Sequence, residues 1–307
     1  MLQRLYGNEA LKNDLAAALT AGRLPHSILL CGAPGFGKNY AARLLAADYL
    51  YPQGGQGADT VLLGQNPECI TATPQGAADI IPVDRVREVR AAVRSTSLSA
   101  EGRVVIIQDA QKMQAAAANA LLKVLEEPPA GVLFVLTADS EAAILPTIRS
   151  RCAVYTLTPM ETEECAGVLR QGGVSAADAA FLAAAYGGAL GYCLAAAGDA
   201  QRMETLRGAA NFVALGAAKD RFGLLAEATR IEGKTKREEA ECFLADLAQL
   251  YAAALDGRAV PGLPALTRQD AARALPAVFE AQRRLRGGSA KLVSTLLALR
   301  IAPPAGA

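Results

Sequence analysis

The sequence predicts a doubly wound α/β domain on a parallel sheet, followed by two all-helical domains. Three observations carry this. Short apolar runs alternate with helical patterns through the first half of the chain. A glycine-rich loop, Gly32-Ala33-Pro34-Gly35-Phe36-Gly37-Lys38-Asn39, follows the first such run and precedes a helical pattern. After Pro159 no strand pattern recurs, and Ala/Leu-rich segments run to the end.

Residues 27–32 form a short apolar run ending at the glycine loop, the pattern of a buried parallel strand feeding a helix N-terminus. Leu44, Leu45 and Leu50 continue the helix. Residues 52–66, rich in Gly, Gln and Pro, read as a loop. Residues 68–72 read as a second strand. Val83, Val86, Val89 and Val93 recur at helical spacing, with Arg87, Arg90 and Arg94 on another face. Residues 103–109 read as a third strand. The helix over 114–127 must stop before Pro128-Pro129, because the residue preceding a proline disfavours the α region. Residues 132–138 and 153–157 give the fourth and fifth strands. Beyond them, breaks at Gly172-Gly173, Gly187-Gly188, Gly257, Pro261 to Pro264 and Gly287-Gly288 divide the helices. The expected domains are residues 1–159, 160–205 and 206–307, with a frayed tail from Pro303 to Ala307.

Composition limits the function. The chain has 307 residues, 52% apolar and 20% charged, in the range of a globular protein with two or three cores. A formal net charge of +1 excludes a bulk polycation but leaves room for a local basic face. No apolar run reaches the roughly 18 residues of a membrane span, and residues 1–10 lack the apolar region of a secretory signal. The six cysteines include no CxxC pair and read as buried thiols in a reducing, cytoplasmic setting. The single histidine, His26, leaves little room for a histidine metal site or a Ser-His-Asp triad.

Three motifs remain. A phosphate-binding loop needs glycines to turn backbone N–H groups inward, a lysine for the outer phosphates, and a hydroxyl for Mg²⁺. Gly32, Gly35, Gly37 and Lys38 fit; Asn39 occupies the hydroxyl position. The loop therefore either binds ATP or ADP or survives as a vestige that binds nucleotide weakly or not at all. Asp109 ends a strand where a metal-holding carboxylate would stand, but Ala110 follows it, so no adjacent acid can orient a water. A simple cap is the competing reading of Asp109. The turn Thr147-Ile148-Arg149-Ser150-Arg151-Cys152 presents an arginine that either pairs with a surface carboxylate or reaches a neighbour's phosphate.

Taken together, Pro25 to Leu30, the loop, Asn66-Pro67-Glu68, Ile81 to Arg87, Asn119 to Pro129 and Thr147 to Cys152 resemble the bacterial clamp-loader subunits of DNA polymerase III, within the AAA+ superfamily. The resemblance covers roughly residues 5 to 155. It implies an AAA+ α/β domain, a helical lid and a helical collar. The ATPase subunits of that family keep a hydroxyl after the lysine, an Asp-Glu pair, and an arginine in the lid. This chain has Asn39, Asp109-Ala110, and Tyr192 at the lid position. These departures resemble the delta-prime type. The resemblance then implies a stator that hydrolyses nothing itself, joins other subunits through its collar, helps load the sliding clamp on primed DNA, and lends Arg151 as a finger to a neighbouring ATP site. An active gamma/tau-type ATPase and a pure collar scaffold are the alternatives. The zinc module of many members has no counterpart, because residues 49–69 hold only Cys69. No zinc and no membrane contact are expected. The Arg87, Arg90 and Arg94 face either touches DNA phosphates or is solvated and paired with acids such as Glu88.

Overall fold

The computed structural model describes residues 1–76, 78–94, 102–230, 237–285 and 287–301, and of Arg94 and Arg230 the backbone alone. The expected tail over 303–307 lies outside these residues. The chain divides into two compact units, Met1–Pro159 and Met160–Ala307.

The first unit runs α1 (Glu9–Thr20), β1 (Ser27–Cys31), α2 (Lys38–Leu50), α3 (Gln56–Leu62), β2 (Cys69–Ala72) and α4 (Val83–Arg94). It continues β3 (Arg103–Ile107), α5 (Ala115–Glu126), β4 (Val132–Ala138), α6 (Pro146–Arg149) and β5 (Ala153–Thr156). The strands form one parallel sheet in the order β2-β3-β4-β1-β5. Every residue of β1, β3 and β4 is buried, as continuous apolar runs require when helices cover both faces. The pleat then sorts neighbours to opposite sides. Ile28, Leu30, Val104 and Ile106 pack with α1 and α2; Leu29, Val105, Ile107 and Phe134 pack with α4 and α5.

Two expectations need correction. Residues 52–66 are not all loop: α3 lies within them. Glycine and glutamine mask a short apolar pattern in which Ala58 and Val61 are buried against α2. Gly57 earns its place by packing against the Tyr51 ring, where an added Cβ would come within 2.3 Å. The third strand stops at Ile107 rather than Asp109. Gln108 still donates its N–H to Ala72 O, and the backbone then turns into the left-handed region at Asp109 (φ 51°). Residues 9–20, given no element above, form α1 and bury Leu11 and Leu15.

The second unit is entirely helical among the described residues: α7 (Thr162–Gln171), α8 (Ala176–Ala185), α9 (Leu190–Ala197), α10 (Ala200–Ala217), α11 (Arg221–Arg230), α12 (Arg237–Leu255), α13 (Arg268–Leu285) and α14 (Ala290–Ile301). Its core includes Phe212 and Phe243, edge to face at 5.7 Å. A polar knot ties three helices. Arg202 of α10 donates two hydrogen bonds to Asp246 of α12, and Tyr186, just after α8, donates its hydroxyl to the same carboxylate at 2.9 Å.

Candidate functional site

The glycine loop stands at the carboxyl end of the sheet, where open α/β folds place ligands. Gly32 leaves β1 and donates its N–H to Ala138 O at 3.1 Å. Gly35 and Gly37 adopt φ of 85° and 84°, which a side chain would oppose. Gly37 is the N-cap of α2 and makes no side-chain capping bond, so the first-turn N–H groups of the helix have no side-chain acceptor. Such a helix end attracts anions.

Side chains of the chain itself close the rest of the site. The Lys38 ammonium, 6% exposed, donates to Gly32 O at 2.6 Å and lies 3.1 Å from Asp139 Oδ1. Gln111 donates to the other Asp139 oxygen at 3.0 Å. Asn39 accepts a hydrogen bond from the Thr137 hydroxyl at 2.8 Å, and Thr137 Oγ1 accepts the Asp109 N–H at 3.1 Å. Lys38, Asn39 and Asp109 are thus brought together, as the motif spacing expects. The connecting residues Thr137, Asp139 and Gln111 were missed. The sequence signal was partial: Thr137 lies near the end of the fourth predicted strand and Asp139 just beyond it, but nothing local ties either of them, or Gln111, to the loop.

Asp109 faces a cation of its own chain. Lys112 lies 3.5 Å from it and 2.7 Å from Asp79. Partial burial pulls the Lys112 pKa down, but hydrogen bonding to Asp79 and the charges of Asp109 and Asp79 outweigh this and raise it. Asp109 is followed by the buried Ala110, so no second acid stands next to it. Two thiols of this unit are poor nucleophiles: burial pushes Cys69 up to about 11 and Cys152 up to about 12. All six cysteines are free, four of them buried. No group of three or more His, Cys, Asp or Glu among the described residues is arranged to hold a metal.

Arg151 lies elsewhere. The one-turn helix α6 delivers it to the start of the edge strand β5. Its guanidinium donates to Thr147 O at 2.8 Å, to Ser150 Oγ at 3.3 Å, and to the Glu126 carboxylate at the end of α5. Ala153 is level with Ile28 in the parallel register. Four residues of strand, about 13 Å, separate that level from Gly32. Arg151 therefore belongs to the amino end of the strands, opposite its own phosphate loop.

On α4, Arg87 pairs with a neighbouring acid, Asp84, at 3.0 Å, and Glu88 pairs with Arg85 at 2.8 Å. The Arg94 side chain lies outside the described residues. Tyr192 sits on α9 with its ring 5.5 Å from that of Tyr186. No described helix is long and apolar enough to cross a membrane.

Comparison with known proteins gives consistent results. The family described as "DNA polymerase III, delta subunit" matches residues 7–161. The chain is 35% identical over 153 residues to the DNA polymerase III subunit delta' of Escherichia coli (47% of this chain, 46% of that protein). It is 33% identical over 189 residues to the subunit gamma/tau of Mycobacterium tuberculosis (57% of this chain, 32% of that protein). The chain thus spans about half the length of the delta' relatives it matches, and less of gamma/tau. A crystal structure of a DNA polymerase III gamma subunit-related protein from Thermotoga maritima matches over 93% of this chain and 98% of that one, at 16% identity and a TM-score of 0.53. That likeness concerns the fold alone: an α/β layer on a parallel sheet followed by helices.

Proposed function

This chain belongs to the DNA polymerase III delta subunit family, and we propose that within it the chain is a delta-prime-type clamp-loader subunit. In this reading it hydrolyses no ATP, joins other subunits through its C-terminal helices, and lends Arg151 to the ATP site of a neighbour. The complex would then load a sliding clamp on primed DNA. The lid would span 160–205 and the collar 206–307.

The observation that carries the reading is the closed state of the chain's own nucleotide site. Lys38 is counter-charged by Asp139, Asn39 replaces the metal-binding hydroxyl, and Asp109 faces Lys112 with no second acid beside it. Hydrolysis needs a metal, an oriented water and a free cation for the γ-phosphate; each lacks its group here. The position of Arg151 supports action in trans, since it stands at the opposite end of the strands from its own loop. An arginine finger is worth about 10³–10⁵ in rate in other phosphoryl-transfer systems.

An active ATPase subunit is the second reading, favoured by the 33% identity to gamma/tau. One experiment separates them: ATP hydrolysis by the purified chain alone, then with the partner ATPase subunits, clamp and primed DNA. The proposal expects silence alone, strong activity in the mixture, and loss of much of that activity in Arg151→Ala without loss of assembly. Hydrolysis by the isolated chain that disappears in Lys38→Ala would establish a motor subunit instead. A pure scaffold would leave both variants silent in clamp loading.

A further inference from the structure

The helical unit contains a cavity of about 230 Å³ that neither the nucleotide site nor the Arg151 turn uses. Drug-sized ligands occupy roughly 300–1,000 Å³, so this space suits a small ion with a few waters. Its floor includes Tyr251 of α12, 2% exposed. Its walls carry three cations from three separate elements: Lys219 after α10, Arg273 of α13 and Arg300 in the last turn of α14. The lining acid is Asp270 of α13, whose Oδ2 accepts the Thr267 hydroxyl at 2.6 Å. Three cations against one carboxylate leave two positive charges.

Two features separate this arrangement from an ordinary basic surface. First, Lys219, Arg273 and Arg300, all exposed, make no ion pair or hydrogen bond through their side chains among the described residues; Arg221 and Arg268 share this, but only these three line one cavity, whereas Arg202, Arg207, Arg237, Arg258, Arg283 and Arg284 of the same unit are paired. Asp270 is the one acid that lines the cavity with them. Second, Lys219 stands at φ 58°, two residues beyond the end of α10. Helices that end in a left-handed residue favour glycine there, because a Cβ is strained. A lysine does nothing for the helix end that glycine would not do better. What it adds is an ammonium at the cavity.

We propose that this cavity binds a small, doubly charged oxyanion that carries a hydroxyl, of which hydrogen phosphate is the type. The three cations meet the anionic oxygens, and the Tyr251 hydroxyl donates from the floor. Burial, and then the charge of Asp270, hold the Tyr251 pKa well above its ordinary value, so it remains a donor. Asp270 selects among anions. Its carboxylate accepts a hydrogen bond from the hydroxyl of hydrogen phosphate, whereas sulfate has no proton to give and meets repulsion.

The test is calorimetric titration of the full chain with inorganic phosphate, then with sulfate, in a low-salt buffer free of other multivalent anions. The Lys38→Ala variant is titrated alongside, because the phosphate loop is a second anion-attracting feature. Binding should survive Lys38→Ala. Arg273→Ala and Arg300→Ala should each weaken it by about tenfold, the scale of one charged hydrogen bond. Lys219→Gly should weaken phosphate binding while leaving the melting temperature of the free chain equal or higher, a combination that simple damage to the fold would not produce. Sulfate should bind more weakly than phosphate, with Asp270→Asn narrowing the gap. Absence of binding at millimolar phosphate, its loss in Lys38→Ala, or unchanged affinity in the Arg273→Ala/Arg300→Ala double variant would overturn the proposal. Equal affinity for sulfate would overturn the selective role of Asp270.

Discussion

Lys38 and Asp139 form an ion pair at 3.1 Å, so the cation of the phosphate loop already has a counter-ion from its own chain. Gln111 holds the second Asp139 oxygen, which keeps the carboxylate in place. An incoming phosphate must displace this carboxylate, which is itself half exposed. We expect Asp139→Asn to tighten ADP binding by the isolated chain by up to about fivefold, the upper end for a partly exposed pair. Titration with a fluorescent ADP analogue measures it. Unchanged affinity would mean that loop shape, not the counter-ion, governs nucleotide entry.

The Arg151–Glu126 pair gives a second prediction. Both side chains are partly exposed, so the contact is worth at most about 1 kcal/mol. It can orient the guanidinium in the free chain and still yield to a phosphate. Glu126→Gln should change chemical-denaturation stability by less than about 1 kcal/mol and leave the ATPase of the assembled complex equal or higher. A large fall in ATPase with assembly intact would show that Glu126 is needed beside Arg151 during turnover.

The sheet was legible because β1, β3 and β4 are predominantly apolar runs, as a strand covered on both faces must be. The helix α3 was hidden because its glycines, needed for close packing against Tyr51, look like loop composition. At the site, Lys38, Asn39 and Asp109 could be read from spacing. Asp139, Thr137 and Gln111 could not be tied to them, because their contacts form only when β1, β3 and β4 align side by side. Glu126 lay inside a recognised segment, yet its partner stands 25 residues later. Local pattern reports which element a residue belongs to; it does not report what that residue faces across the fold.

The buried knot of the helical unit predicts a pH-dependent stability. Asp246 is fully buried, and burial pushes its carboxyl pKa up, while the hydrogen bonds from Arg202 and Tyr186 hold it back in part. A carboxyl whose folded pKa is raised binds its proton more tightly in the folded state. Its contribution is complete below the unfolded value of about 4 and is lost as pH rises through the folded pKa. Arg202→Ala removes the main opposing charge and lifts the carboxyl further. Stability at neutral pH should fall by about 3–5 kcal/mol, the cost of leaving a buried charge unpaired. Denaturation curves from pH 4 to pH 7.5 should show a steeper decline with pH than the parent chain. A loss that is the same at every pH would assign the effect to packing of the arginine stem alone.

The last helix carries the clearest sign of association. Along α14, Val293, Leu297 and Ala298 are buried in the core, whereas Leu292, Leu296 and Leu299 remain 64%, 41% and 43% exposed. The exposed leucines recur at i, i+4 and i+7, which places them on one face. Burying a leucine contributes about 1.5–3 kcal/mol, so a partner helix laid over all three would gain substantially. This face suits the collar contact proposed above. Leu296→Asp should leave the melting temperature of the isolated chain within a few degrees of the parent, because the side chain has little core contact to lose. It should weaken association with gamma/tau-type subunits by at least about tenfold, since a carboxylate would have to be desolvated against apolar surface. Size-exclusion chromatography with light scattering reads both the complex and the free chain. Undiminished assembly would place the intersubunit contact on another face of the helical unit and leave this leucine stripe without a role in it.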